Sequence, residues 1–441
     1  MMFGPMTAVR TAAFPMFLTA LAGALPVVAA PERGAADRDH ETRIQALEAR
    51  LAAAESRADN RFNPAVSLVL QGGWAAFDQP AESVEWPGLP LGGEAGPHPE
   101  GLALWESELT ASANIDHLFF GQATLGFHEH DGETETDVEE AFIETLALPA
   151  GLGVRMGRFY SDLGYLNGRH SHAWDFADAP MVYQALLGGQ YGDDGLRATW
   201  LAPVSSVLME VGAELFRGGA YPAGGLDGDV GAVWLGFVRL GGDLGVLHSW
   251  QLSVSHGEID VDARAAGGHD DHDHAGPVFS GDATLSAVSA VWKTQLSKGR
   301  SWVLQAEYLY RDENGFVDLV EDSGAAQFGY DGEQDGGYIQ TLYQFRPRWR
   351  AGFRYDWVGA DNQLVALSNT TGEADDDVAE ETGLVSAGDD PSRWALMLDW
   401  SPSEFSRLRL QYAQAEVDDR SDDQVHLQYI VTLGAHGAHR F

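Results

Sequence analysis

The densest run of ligand-type side chains in the sequence is His269-Asp270-Asp271-His272-Asp273-His274. Neutral imidazole and carboxylate at this density suit Zn, Ni or Cu, and so short a His-rich tract reads compositionally as metal-binding. Its glycine-flanked setting offers little to hold ligands in a fixed tetrahedron. Weak capture of Zn from outside is therefore the expectation, with adventitious affinity as the open alternative, and no cofactor is required. A second group, His170, His172, Asp175 and Asp178, lies in a stretch that also carries Trp174, Phe176 and Tyr183. Single histidines recur at His128, His130, His426, His436 and His439. No set points to catalysis. The chain lacks a Gly-x-Ser-x-Gly elbow, a phosphate-binding Gly-x-x-x-x-Gly-Lys loop and a His-Glu-x-x-His helix. With 15 His and 66 acidic residues, a Ser/His/Asp triple arises by chance, so an enzyme is not expected.

The elements that carry these residues have an unusual composition. Acidic residues number 66 against 27 basic ones, a formal net charge of -39. Such a chain would be repelled by nucleic acid, and its one-signed surface would concentrate cations. Cys is absent, which removes thiolate metal sites and disulfides. Residues 1–30 read as a signal peptide. Arg10 precedes an apolar run from Thr11 to Val28, interrupted by Pro15 and Pro26, and Val28-Ala29-Ala30 ends it with small residues. Within residues 31–61, Ile44, Leu47, Leu51, Ala54 and Ala58 follow coiled-coil spacing. That helix is too short to stand alone and would serve as a periplasmic clamp between associated copies. A homotrimer is expected by analogy with porins.

From residue 62 onward the period becomes two. Phe119, Gly121, Ala123, Leu125 and Phe127 share one face, and Gln122, Thr124 and His128 the other. Leu427, Tyr429, Val431 and Leu433 alternate with His426, Gln428 and Thr432. Apolar outside and polar inside marks a wall between lipid and water. Sixteen strands are predicted, near 65–77, 102–115, 118–128, 138–148, 152–159, 193–201, 206–216, 230–243, 247–259, 279–294, 300–312, 336–346, 348–358, 392–401, 405–416 and 424–441. Tight connections such as Asp116-His117, Pro149-Ala150-Gly151 and Ser297-Lys298-Gly299 alternate with longer, mostly acidic ones. Short turns on one side and long loops on the other are what outer-membrane barrels show. The expected fold is all-β, a transmembrane antiparallel barrel of the cell outer membrane, in contact with lipid and lipopolysaccharide. Its last residue, Phe441, resembles the terminal aromatic of such barrels.

The longest connection, after the fifth strand, holds His170, His172, Asp175 and Asp178. Its aromatic residues need burial, so it is predicted to fold into the barrel and narrow it. Those four residues would then sit at a channel constriction and favour cations. Alternatively they hydrogen-bond the loop to the wall. Residues 313–335 and 359–391 read as acidic loops with seven and nine carboxylates and no basic residue. Arg155 and Arg158 would form a basic ladder if both pointed inward, which keeps an anion or sugar channel open.

Two stretches, Trp174-Asp175-Phe176-Ala177-Asp178-Ala179-Pro180 through Leu187-Gly188-Gly189-Gln190-Tyr191-Gly192-Asp193-Asp194-Gly195 and the ending Leu433-Gly434-Ala435-His436-Gly437-Ala438-His439-Arg440-Phe441, carry a resemblance. They resemble bacterial outer-membrane proteins labelled zinc-regulated TonB-dependent outer-membrane receptors, from about residue 62 onward. The layout is also similar to phosphate-selective and related trimeric porins. The label implies zinc uptake. TonB-dependent transporters use 22 strands around a plugged lumen, and a sixteen-stranded chain behind a short helix implies a porin-like layout instead. The expected function is passive, cation-biased uptake of small solutes or Zn ions. The competing expectation is a plug-less receptor or metal-binding surface barrel with a closed lumen.

Overall fold

The computed structural model describes residues 64–79, 86–89, 91–92, 95–130, 133–224, 232–265, 277–321, 324–367, 384, 390–417 and 420–434. The expected signal segment and coiled coil and the His269–His274 tract lie outside these residues, as do His436 and His439. The strands are β1 (Ala65–Phe77), β2 (Gly101–Leu104), β3 (Ser107–Asn114), β4 (Phe119–His130), β5 (Glu133–Thr145), β6 (Leu152–Tyr160), β7 (Gly192–Leu201), β8 (Leu208–Phe216) and β9 (Ala232–Leu244). They continue as β10 (His248–Ala265), β11 (Val278–Gln295), β12 (Ser301–Glu321), β13 (Gly324–Arg346), β14 (Trp349–Ala366), β15 (Ser392–Ser403), β16 (Ser406–Val417) and β17 (Arg420–Gly434). Every pairing is antiparallel, each strand beside its neighbour in sequence, and β1 closes the sheet on β17.

Both β2 and β3 pair with β1, at Gly72–Ala75 and Ala65–Val69 respectively, so together they form one wall strand of sixteen. The single strand predicted over 102–115 is thus interrupted. At the break the Trp105 amide donates to the Gln71 carbonyl, and the Ser107 hydroxyl exchanges hydrogen bonds with the Gln71 backbone. The Trp105 ring lies over Gly73, where a Cβ would meet it at 2.9 Å.

The faces are inverted relative to a soluble protein. Along β10, Gln251, Ser253 and Ser255 are buried while Leu252 and Val254 are 45% and 54% exposed. On β15 to β17, Leu396, Leu398, Leu408, Leu410, Leu427 and Leu433 point out, and Arg393, Asp399, Arg409, Gln411 and Gln428 point in. A sheet satisfies its backbone in lipid only when it closes into a barrel, and an outward apolar band meets hydrocarbon. The chain is an outer-membrane β-barrel.

The wall is uneven in height. Strands β12 and β13 run 21 and 23 residues, twice the 10 and 9 of β7 and β8. Spanning a bilayer takes about 9–11 residues, so this hairpin stands well clear of the membrane. It corrects the reading of residues 313–335 as a loop: Glu313 to Glu321 pair in register with Gly332 to Gly324. The ladder also continues through Val365 and Ala366 of β14, inside the expected 359–391 loop. Acidic composition suggested a solvated loop, but inward Val317, Phe328 and Tyr330 are buried and hold the extension together.

Candidate functional site

The connection from β6 to β7, residues 161–191, turns into the lumen, as its aromatic content required. Gly164 (φ 68°) and Gly188 (φ 64°) supply left-handed turns that other residues adopt at a cost. Between them lies the helix α1 (Met181–Leu187), started at Pro180 and ended at Gly188. All seven helical residues are buried. A helix apolar on all sides needs partners all round. Its partners are the inner faces of β12, β13 and β14, within an apolar cluster that includes Trp86, Leu89, Leu235, Ile259, Leu285, Leu309, Val358 and Leu384. Those strand residues lie toward the long-loop end. Toward that end the lumen is packed and largely apolar.

Three sets of polar contacts fix the loop. The first is Glu307 on β12. It accepts hydrogen bonds from the amides of Tyr165 (2.6 Å) and Leu166 (3.0 Å) and from the hydroxyls of Tyr183 (3.1 Å) and Tyr338. Nearby, Ser161 and the Asp162 amide donate to Glu214, and the Asp162 carboxylate pairs with Arg197 and Arg239 at 3.0 and 3.1 Å.

The second set holds the two loop aspartates. Asp178 sits between Arg354 (3.0 Å) and Arg393 (2.5 Å) and accepts from the Gln411 amide. Burial would raise its pKa, but Arg393 and Arg354 overcome that and hold it far below the usual carboxylate range. Asp175 pairs with Arg350 at 2.8 Å and accepts from Gln340. Arg409 donates to the carbonyl of Trp174 (2.8 Å) and to Asp399 (2.9 Å).

The third set meets an acidic wall. His170 Nδ1 lies 3.1 Å from Glu108 and 3.0 Å from Glu139, and its Nε2 lies 3.0 Å from Glu140. His172 Nδ1 lies 2.6 Å from the other oxygen of Glu108. Burial alone would lower the pKa of His170; the surrounding carboxylates, Glu108 first, raise it well above its ordinary value. These acids converge because of a β-bulge. The β4–β5 register slips between Thr124 and Leu125, which pair with Glu140 and Val138, so Glu139 is the extra residue. Two consecutive glutamates thereby reach one group.

The four constriction residues read from sequence therefore lie on the inward loop, and they separate into two pairs. The histidines face carboxylates of β3 and β5, and the aspartates face arginines of β14 and β15. Sequence reasoning missed Glu108, Glu139, Glu140, Glu307, Arg354 and Arg393. A signal for most of them was present, since a charged residue on the lumen parity of a strand needs a partner. The bulge that turns Glu139 carried none. Arg155 and Arg158 form no ladder. Arg155 is buried over the Phe142 ring with Glu144 as its partner, whereas Arg158 is 42% exposed beside Asp194. His128 is half-buried near the exposed Glu135 and Asp137 at 3.7 and 3.8 Å.

Other inward arginines are likewise offset. Arg264 pairs with Glu313, and Arg311 donates to the Gln334 side chain with Glu313 alongside. At the short-turn mouth a cavity of about 720 Å³ is lined by Gln344, Arg348, Arg350, Ser401, Ser403, Glu404 and Phe405.

No protein-family model matches the chain. Among solved structures, the trimer form of OmpT, an outer membrane protein of Vibrio cholerae, is 10% identical, with 84% of this chain and 99% of that one covered and a TM-score of 0.50. The outer membrane channel DcaP of Acinetobacter baumannii is 13% identical, with 84% and 97% covered and a TM-score of 0.50. At that identity the likeness is one of fold, a porin-like outer-membrane barrel. In sequence, an uncharacterized protein of Aquifex aeolicus (strain VF5) is 30% identical over 405 residues, 86% of this chain and 80% of the relative. The chain belongs to one family with the Aquifex aeolicus protein, and its fold is that of the porin-like outer-membrane barrels.

Proposed function

We propose that the chain is an outer-membrane channel for passive passage of small polar solutes, biased to cations, with the loop of residues 161–191 as its constriction. The observation that carries this reading is a polar, charge-balanced inner wall against which one long loop is pinned at Glu307, Asp178 and His170. Cation bias is supported by a net charge of -39 on a chain whose inward arginines already have acceptors. A trimer and a link to zinc acquisition belong to the same proposal. The first is supported by the trimer form of the OmpT neighbour, the second by the resemblance to zinc-regulated outer-membrane proteins and by the His269–His274 tract. A closed-lumen receptor is favoured by one specific observation, the apolar packing around α1.

Planar-bilayer recording of the refolded full chain separates the two. The channel reading expects open steps whose conductance rises when Glu307→Gln loosens the loop, and rises further when residues 168–179 are replaced by a short Gly-Ser linker. Folded protein that carries no current in any of these forms would make the receptor reading the better one.

A further inference from the structure

We infer that His170, Glu108 and Glu139 form a binding site for one divalent transition-metal cation inside the barrel, clasping the loop to β3 and β5. The inference deepens the channel reading, because the loop so held is the proposed constriction.

The geometry is that of a ligand set. His170 Nδ1 and the two carboxylates approach one another within 4.8 Å, with His170 Nδ1 3.1 Å from Glu108 and 3.0 Å from Glu139. Ligands about 2.1 Å from a metal stand about 3.4 Å apart in a tetrahedron, so a bound ion would part these atoms by only a few tenths of an ångström. Imidazole with carboxylates suits Zn²⁺, Fe²⁺, Co²⁺ or Ni²⁺ better than Ca²⁺ or Mg²⁺.

The outer contacts are those a metal-bound histidine uses. The ring nitrogen left over, Nε2, lies 3.0 Å from Glu140, which also accepts from Gln122 at 2.9 Å. A carboxylate behind the histidine fixes which nitrogen faces the metal and raises its basicity. His172 orients the second oxygen of Glu108 in the same way.

A separate observation points to an absent cation. The Glu139 side chain is only 8% exposed, and its Oε1 has no hydrogen-bond partner among the described residues. Glu106 lies within hydrogen-bond reach of Glu139, and two carboxylates so close are held together by a shared proton or by a cation. The carboxylate occupies space that Gly126 leaves open, since a Cβ there would lie 2.2 Å from Oε1. Bulge and glycine together seat Glu139 among Glu106, Glu108 and Glu140, where four carboxylates share the two imidazoles of His170 and His172, which is costly unless a cation makes up the difference.

The test uses the refolded full chain with His269, His272 and His274 changed to Ala, which removes the competing tract. Titration calorimetry with ZnCl₂ is expected to show one equivalent bound per chain. His170→Ala and Glu139→Gln should abolish it, and Glu140→Gln should weaken it about 10–100-fold. X-ray absorption at the Zn edge is expected to show one imidazole with oxygen ligands, a readout that stands even if a variant misfolds. Loss of the equivalent in the triple-Ala protein, its retention in both His170→Ala and Glu139→Gln, or a shell of several imidazoles would each overturn the site. Calorimetry and absorption need no current, so a failed channel and a failed metal site give different results.

Discussion

His98 shows how one side chain can tie loop docking to pH. Its Nε2 lies 2.9 Å from the carbonyl of Ala177, and its ring stacks on Trp105 at 3.9 Å with His426 edge-on at 6.0 Å. Burial lowers its pKa despite the Ala177 carbonyl and Asp178, so the neutral ring is the folded form. A base with a depressed folded pKa contributes stability that is complete above its unfolded value, about 6.5. That stability is lost as pH falls through the folded value. Asp178, beside Ala177, behaves as an acid held low: its contribution is complete above about 3.9 and fails only at stronger acidity. The contribution of His98 to thermal stability should therefore fall between pH 7 and 5 in the wild type. His98→Gln, which can still donate to Ala177, should flatten that part of the profile while leaving the acid limb. An unchanged profile would remove His98 as the cause. The types of these groups could be read from sequence, but their partners could not. Asp178 meets Arg354 and Arg393 from strands 176 and 215 residues away, and no local pattern encodes such pairing.

At the scale of elements, period-two alternation located the strands well because lipid and lumen impose opposite demands on alternate residues. It failed where composition misled. Residues 313–335 carry seven carboxylates and looked solvated, yet they continue β12 and β13 above the membrane. The signal that was overlooked is the inward series Val317, Phe328 and Tyr330, which alternates with the acids. The bulge at Glu139 was hidden for a related reason: strict alternation puts Glu139 and Glu140 on opposite faces, and only the register reveals the extra residue. Hydrogen exchange in detergent tests the hairpin directly. Amides of residues 313–317 and 328–333 are expected to exchange about as slowly as those of the membrane-spanning ladder, whereas an open loop would exchange within the dead time. Rapid exchange there would return the segment to a loop.

At the scale of the whole molecule, charge is distributed by function of depth. Inside, the arginines of β14 to β16 meet Asp175, Asp178, Asp356 and Asp399, and Arg197 meets Asp162 and Glu214. Buried pairs of this kind stabilise position more than they attract passing ions, because each charge is already answered. Among the described residues, exposed acids such as Asp260, Asp331, Glu333 and Asp361 instead stand where water and salt reach them. Screening then decides how selectivity behaves. The Debye length is about 10 Å at 0.1 M salt and about 3 Å at 1 M. Reversal potentials across a fixed salt ratio should indicate strong cation preference near 0.1 M and little near 1 M. The size of polyethylene glycol that enters the pore should stay the same, because the loop is held by contacts that salt barely touches. Selectivity that survives 1 M salt would instead place the discriminating charge in the lumen. The surface-exposed loop acids would then be dispensable, and the aspartates and glutamates around residues 161–191 would have to carry it.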